Sequence, residues 1–152
     1  MIIGFPGETR ADVAELERFL YAARLDAIGV FGYSDEDGTE AATLPGKVRR
    51  DTIRRRYDKV SSLADRLVTE RAAERVGEVV EVLVESISDG IAEGRAAHQA
   101  SEVDGSTTIP ALPGVAVGDL VSAQVMSSDG ADLRAEPLQS GNLGAKPFGT
   151  RL

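Results

Sequence analysis

Met1-Ile2-Ile3-Gly4-Phe5-Pro6-Gly7-Glu8-Thr9 is the stretch on which the fold turns. Three apolar residues run into a Gly-Phe-Pro-Gly turn, and a carboxylate and a hydroxyl follow. Continuous apolar character predicts a short parallel strand over Met1 to Phe5, covered on both faces. Thr9 is placed to cap a helix, with Asp12 three residues on in the capping-box position. Val13, Leu16, Leu20 and Ala23 then recur at helical spacing, while Asp12, Glu15, Glu17 and Arg18 lie off that stripe. The helix is expected to end near Arg24 to Asp26. Ala27-Ile28-Gly29-Val30-Phe31-Gly32-Tyr33 reads as a second apolar strand. Strand, helix and strand make a βαβ unit, so the strands should be parallel and the crossover right-handed. Two such strands cannot cover both faces or close their edges. The unit therefore reads as the end of a larger α/β barrel.

Ser34-Asp35-Glu36-Asp37-Gly38-Thr39 forms an acidic loop at the C-terminal end of the second strand, where α/β folds bind ligands. Its spacing is not that of an EF-hand, so a solvated loop is preferred to a cation site. Ala41 to Gly46 reads as a connector. Lys47 to Val76 is strongly helical, with Ile53, Tyr57, Val60, Ala64 and Leu67 as its apolar stripe. Arg49, Arg50, Arg54, Arg55 and Arg56 read as a solvated face in preference to a phosphate or acidic-partner contact.

After Gly77 the period changes. Val79 to Glu85 is β-branched and strand-like, and Ser88-Asp89-Gly90 is a turn. Ile91 to Ala97 and Val103 to Ile109 follow as further strands, the latter with an Asp104-Gly105 turn inside it. Asp119 to Met126 and Ala131 to Ala135 pair across Ser128-Asp129-Gly130. Short strands so spaced predict a small antiparallel, OB-like barrel. The expected organisation is thus a barrel remnant over 1–46, a connecting helix over 47–76, a small barrel over 77–138 and a disordered tail over 139–152. His98, the single histidine, reads as an ordinary surface residue.

Charge divides the chain. Residues 1–76 hold 14 acids and 13 bases, whereas residues 77–138 hold 11 acids against Arg95 and Arg134. An acidic surface repels phosphate backbones and attracts basic protein. The chain has no cysteine, which removes disulfides, thiolate metal ligands and cysteine nucleophiles from it. No apolar run approaches the roughly 20 residues of a membrane span, and no signal peptide is evident. A cytoplasmic location is expected, with no membrane partner.

Ile3-Gly4-Phe5-Pro6-Gly7-Glu8-Thr9, Gly29-Val30-Phe31-Gly32-Tyr33-Ser34 with Asp37-Gly38-Thr39, the arginine-rich helix and the small barrel come in a telling order. Together they resemble the C-terminal third of the radical S-adenosylmethionine methylthiotransferases, over Met1 to about Leu138. The resemblance implies the end of a TIM-type radical SAM barrel followed by a TRAM barrel. Asp35-Glu36-Asp37 before Gly38-Thr39, the acidic barrel and Glu102-Val103-Asp104-Gly105 favour the RimO-type branch. That branch modifies an aspartate of a small-subunit ribosomal protein, the twelfth by usual numbering. Gly32 departs from its usual proline, and Ala96-Ala97-His98 stands where an aromatic and basic stretch is expected.

The resemblance implies S-adenosylmethionine and 4Fe-4S clusters as cofactors of the complete enzyme. Neither is expected to be bound stably by this chain, which lacks the cluster cysteines and so is expected to be inactive alone. It implies S-adenosylmethionine contacts at Gly4, Phe5, Pro6, Gly7 and Glu8. For Glu8, a bond to the ligand and a favourable interaction with the helix dipole stay open as equal readings. Phe31, Tyr33, Asp35, Glu36 and Asp37 are expected to face substrate. No residue is assigned to catalysis or to a metal. The implied partner is a basic small-subunit ribosomal protein, with the missing N-terminal domains on another chain as one arrangement. Two alternatives stand beside this: a fragment of the transfer-RNA-modifying branch with an RNA-binding barrel, and a non-catalytic module that binds a ribosomal protein.

Overall fold

The structure, a computed structural model, describes residues 1–100 and 104–138. Five elements come first: β1 (Ile2–Ile3), α1 (Arg10–Ala23), β2 (Phe31–Gly32), α2 (Glu40–Thr43) and α3 (Arg50–Glu74). Five strands follow: β3 (Val79–Ser88), β4 (Ile91–Arg95), β5 (Thr107–Pro110), β6 (Leu120–Asp129) and β7 (Asp132–Pro137). The expected tail over 139–152, Val103 of the strand expected over 103–109 and Glu102 of the Glu102-Val103-Asp104-Gly105 stretch lie outside the described residues.

β1 and β2 pair in parallel, Ile2 beside Phe31 and Ile3 beside Gly32. Both are shorter than Met1–Phe5 and Ala27–Tyr33, because the chain turns at Gly4 immediately after Ile3. The expectation of cover on both faces is corrected. Ile3 is fully buried under the helices, but Ile2 and Phe31 are 58% and 65% exposed. One helical layer covers one face of the pair, and nothing in the described residues covers the other.

α1 begins as its residues dictate. Asp12 N–H donates to Thr9 Oγ1 at 3.3 Å, and Thr9 N–H donates to Asp12 Oδ2 at 2.7 Å. The hydrogen bond from the Thr9 backbone holds the Asp12 carboxyl below its ordinary value. Val13 and Leu20 are buried on the side facing α3. A short helix, α2, occupies the segment read as a connector, capped by Thr39 accepting from Ala42 N–H at 3.3 Å.

α3 serves two cores. Its Val60 and Leu63 join Ile3, Val13 and Leu20 in the first. Each such fully buried aliphatic side chain stabilises by about 1.5–3 kcal/mol. One end further on, Ala72 packs against Val125 and Leu133 of the β-structure. Ion pairs fix this junction. Arg75 donates to Asp26 Oδ1 at 2.5 Å and to Glu78 Oε2 at 3.0 Å, and Arg71 Nε lies 3.2 Å from Asp26. Burial pushes the Asp26 carboxyl up, but the Arg75 hydrogen bond and the charges of Arg75 and Arg71 outweigh it, and the net shift is down. His98 is half-buried near these charges, not an ordinary surface residue. Burial, then the Arg75 charge, lowers its pKa.

The five strands close into a barrel in the order β3-β4-β5-β7-β6. Alternate residues point inward, as in β6, where Val121, Ala123 and Val125 are buried between exposed neighbours. Val82, Val84, Ala92, Ile109 and Ala135 complete the core. The expected hairpin is present, with Asp129 opposite Asp132. One feature corrects the all-antiparallel expectation: β5 and β7 run parallel, Thr107 beside Leu133 and Thr108 beside Arg134. They are the third and fifth strands, and they meet only because the fourth folds back onto the first. Strand lengths and turns do not encode that closure. Among the described residues no helix is long and apolar enough to cross a membrane.

Candidate functional site

The loop from Gly4 to Glu8 is held from within. Glu8 Oε2 accepts from Gly4 N–H at 2.7 Å, and Oε1 accepts from Arg56 at 2.6 Å. Arg56 also donates to the Glu8 carbonyl at 3.1 Å, and the two side chains are only 16% and 12% exposed. Glu8 N–H donates to Phe5 O at 2.9 Å, closing a tight turn, and Gly7 N–H donates to Gly46 O at 2.9 Å. Gly4 adopts φ +87°, and a Cβ there would stand 2.4 Å from Ile53 Cγ1. Its missing side chain makes room for α3.

This arrangement corrects the solvated-face reading for Arg56, which leaves the exposed arginine run to pair with Glu8. Both Glu8 oxygens are engaged inside the chain, a use that neither reading of Glu8 anticipated. Of the other residues expected near S-adenosylmethionine, Gly4 is buried, Pro6 is half-buried, and Phe5 and Gly7 are exposed.

The residues expected to face substrate separate into groups. Tyr33 and Asp35 meet, the phenol donating to Asp35 Oδ1 at 2.8 Å. Phe5 meets the Tyr33 ring edge-on, with centroids 5.5 Å apart. Phe31 lies instead on the bare sheet face beside Ile2, while Glu36 and Asp37 are exposed and in no ion pair among the described residues. Lys47, which the reading of the sequence did not single out, completes the group. It donates to Asp35 and to Ala41 O at 2.8 Å, and sits 5.4 Å from the Tyr33 ring centre. The Lys47 hydrogen bond holds the Asp35 carboxyl low, and that same bond raises Lys47. Partial desolvation and then Asp35 push the Tyr33 phenol up. Tyr33, Lys47, Ile53 and Tyr57 border a cleft of about 500 Å³.

Two shallow depressions adjoin on the barrel and share Ser106 and Asp132: one is lined by Asp129, Asp132 and Glu136 with Arg134, the other by Glu85, Glu93 and Asp132 with Arg95. Arg95 is already bound to Glu85 at 2.8 Å. Ile91, half-exposed beside Pro110, adds an apolar ledge. The acidic composition of residues 77–138 was visible in the sequence, but its gathering along three strands depends on the register Glu93 to Thr108 to Arg134.

Residues 76–138, the closed barrel, match the family described as TRAM domain. The chain is also similar to proteins named ribosomal protein uS12 methylthiotransferase RimO. It is 62% identical to that of Salinispora tropica over 143 residues, 90% of this chain and 28% of the relative. It is 60% identical to that of Salinispora arenicola, covering 96% of this chain and 30% of the relative, and 60% identical to that of Streptomyces avermitilis, covering 90% and 28%. The chain is thus similar to these proteins over at least nine tenths of its own length, and spans about three tenths of theirs. It has no cysteine, and the described residues contain no group of three His, Cys, Asp or Glu placed to hold a metal ion. The residues present therefore do not fit an iron–sulfur cluster, whose thiolate ligands would have to come from outside this chain.

Proposed function

We propose that this chain is the substrate-engaging end of a radical S-adenosylmethionine methylthiotransferase acting on a basic small-subunit ribosomal protein, in which the barrel docks the substrate. The similarity to RimO-type proteins over nine tenths of the chain supports the activity. The observation that carries the docking role is the pair of adjoining depressions on the barrel, lined by Glu85, Glu93, Asp129, Asp132 and Glu136, which complement a lysine- and arginine-rich protein. We also infer that β1 and β2 are part of a larger α/β barrel. The bare face carrying Ile2 and Phe31 supports this, because a parallel sheet is ordinarily covered on both sides. In that setting Phe5 and the exposed backbone at Gly7 stand at the ligand-binding ends of the strands. Glu8 acts there by holding the loop. A cytoplasmic location follows from the substrate proposed.

Binding of purified uS12 to the chain tests the docking role. The triple variant E93Q/D129N/E136Q is expected to weaken binding about tenfold, since each partly exposed ion pair contributes up to about 1 kcal/mol. Affinity should also fall steeply with salt in the parent chain and less steeply in the variant. Equal affinity of the two proteins, or binding indifferent to salt, would remove the depressions from substrate recognition.

A further inference from the structure

The N-terminal half of α3, with the cleft it borders, has the opposite character to the barrel. From Lys47 to Lys59 there are seven cations (Lys47, Arg49, Arg50, Arg54, Arg55, Arg56, Lys59) and two carboxylates (Asp51 and Asp58). The structure separates the cations already used from those left over. Arg56 is taken by Glu8, Lys59 by Glu17 at 2.5 Å, and Lys47 by Asp35. Arg50, Arg54 and Arg55 make no ion pair among the described residues. Arg50 and Arg54 are one helical turn apart, so they share a face with Ile53 and Tyr57, and all four line the cleft at the end of β2. Opposite them stands Tyr33, with the Lys47 ammonium above its ring.

A guanidinium pair at the mouth suits phosphate oxygens, because each planar fork can donate two parallel hydrogen bonds. Tyrosine walls over an aliphatic floor suit a flat base, which stacks without regard to its identity. Two guanidinium groups one helical turn apart at the cleft suit successive phosphates of a polyanion better than an isolated ion. We propose that this face binds a single-stranded nucleic acid segment, with one base in the tyrosine-lined cleft and the neighbouring phosphates on Arg50 and Arg54. The barrel's negative charge argues against nucleic acid on the barrel alone, and this face lies on a different element. The proposal does not depend on the methylthiotransferase reading.

The test is a titration of the full chain with a fluorescent oligouridylate, the matching deoxy strand and a polyglutamate peptide, from low to moderate salt. Three proteins are compared: the parent chain, R50Q/R54Q, and R134Q on the barrel, each checked for unchanged helicity by circular dichroism. The expected result is binding of the oligonucleotides that falls about tenfold in R50Q/R54Q and less than twofold in R134Q. The log–log salt slope should fall by about 1.4 in R50Q/R54Q, the value for two phosphate contacts to a single strand. Preference for the ribose or the deoxyribose strand identifies which nucleic acid is taken. Absence of binding at low salt, equal loss in R134Q, an unchanged R50Q/R54Q, or polyglutamate binding as tightly as the oligonucleotides would overturn it.

Discussion

Replacing Gly94 by alanine is expected to unfold the barrel. Gly94 sits in β4 opposite Val84, where the β3–β4 register shifts between Val84 and Ser86. A Cβ at this position would lie 1.9 Å from Leu83 O, 2.7 Å from Leu83 C and 3.1 Å from Val84 Cα. These are backbone atoms of a paired strand. They cannot rotate away as a side-chain end does, so the strands must part or the bulge must move. The cost is about 3–5 kcal/mol, a large share of the stability of a small domain. Gly90→Ala is the comparison, because no atom lies within 4 Å of its added Cβ and only its positive φ opposes it. That variant should lose about 1 kcal/mol. Urea unfolding followed by circular dichroism measures both. A G94A protein within 1 kcal/mol of the parent would mean that β3 and β4 do not approach as described.

The second large effect is expected at Arg56. Truncation to alanine leaves the Glu8 carboxylate mostly buried with its Gly4 N–H bond and no counter-ion. Removing one partner of such a pair costs about 3–5 kcal/mol when burial is complete. With side chains 16% and 12% exposed, roughly 2–4 kcal/mol is expected. The loss should be local. Amide exchange should quicken at Ile3, Phe5 and through α1, while Val82 and Val121 in the barrel keep their protection. The variant E8Q should be milder, since its amide oxygen still accepts from one of the two donors and no unpaired charge is left buried, although its NH2 then faces the other donor. The double variant E8Q/R56A should recover part of the loss, the signature of coupled residues. An R56A protein that exchanges like the parent would show that the pair does not hold the loop.

These two positions also mark what a reader of the sequence can see. The capping box of Thr9 and Asp12 was legible because both partners lie within one turn and their residue types have few other uses there. The five strands were legible because alternation and Asp-Gly turns are local. Their identity as a barrel followed, but the parallel β5–β7 pairing did not, since no local signal tells the third strand which later strand it will meet. Gly94 gives no warning at all, because its constraint comes from a carbonyl on another strand. Arg56 was misread for a related reason. It stands among five arginines in eight residues (Arg49 to Arg56), and only the position of Glu8, far away in the chain, singles it out. The candidate site was legible in part. Tyr33 and Asp35 were named from the loop; Arg50, Arg54 and Tyr57 were visible only as a solvated face and an apolar stripe, and they and Lys47 join the site because α3 folds back across the end of β2.

The opening stretch gains a more exact physical meaning from this. Its glycine at position 4 admits Ile53, and its carboxylate binds both the turn and the arginine helix. The loop, α3 and the barrel are therefore mechanically linked, through Glu8–Arg56 at one end of the helix and Arg75 with Asp26 and Glu78 at the other. The barrel is thereby held at a set distance from the ends of the strands.

The proposed function requires that this chain can do the work of the matching region in a RimO-type protein. The most direct measurement is a chimera in which that region of the Salinispora tropica protein is replaced by this chain, reconstituted with its clusters and assayed by mass spectrometry of uS12. Gain of one methylthio group on uS12, reduced in the chimera carrying E93Q/D129N/E136Q, is the predicted result. A chimera that folds and holds its clusters yet leaves uS12 unmodified would contradict the account.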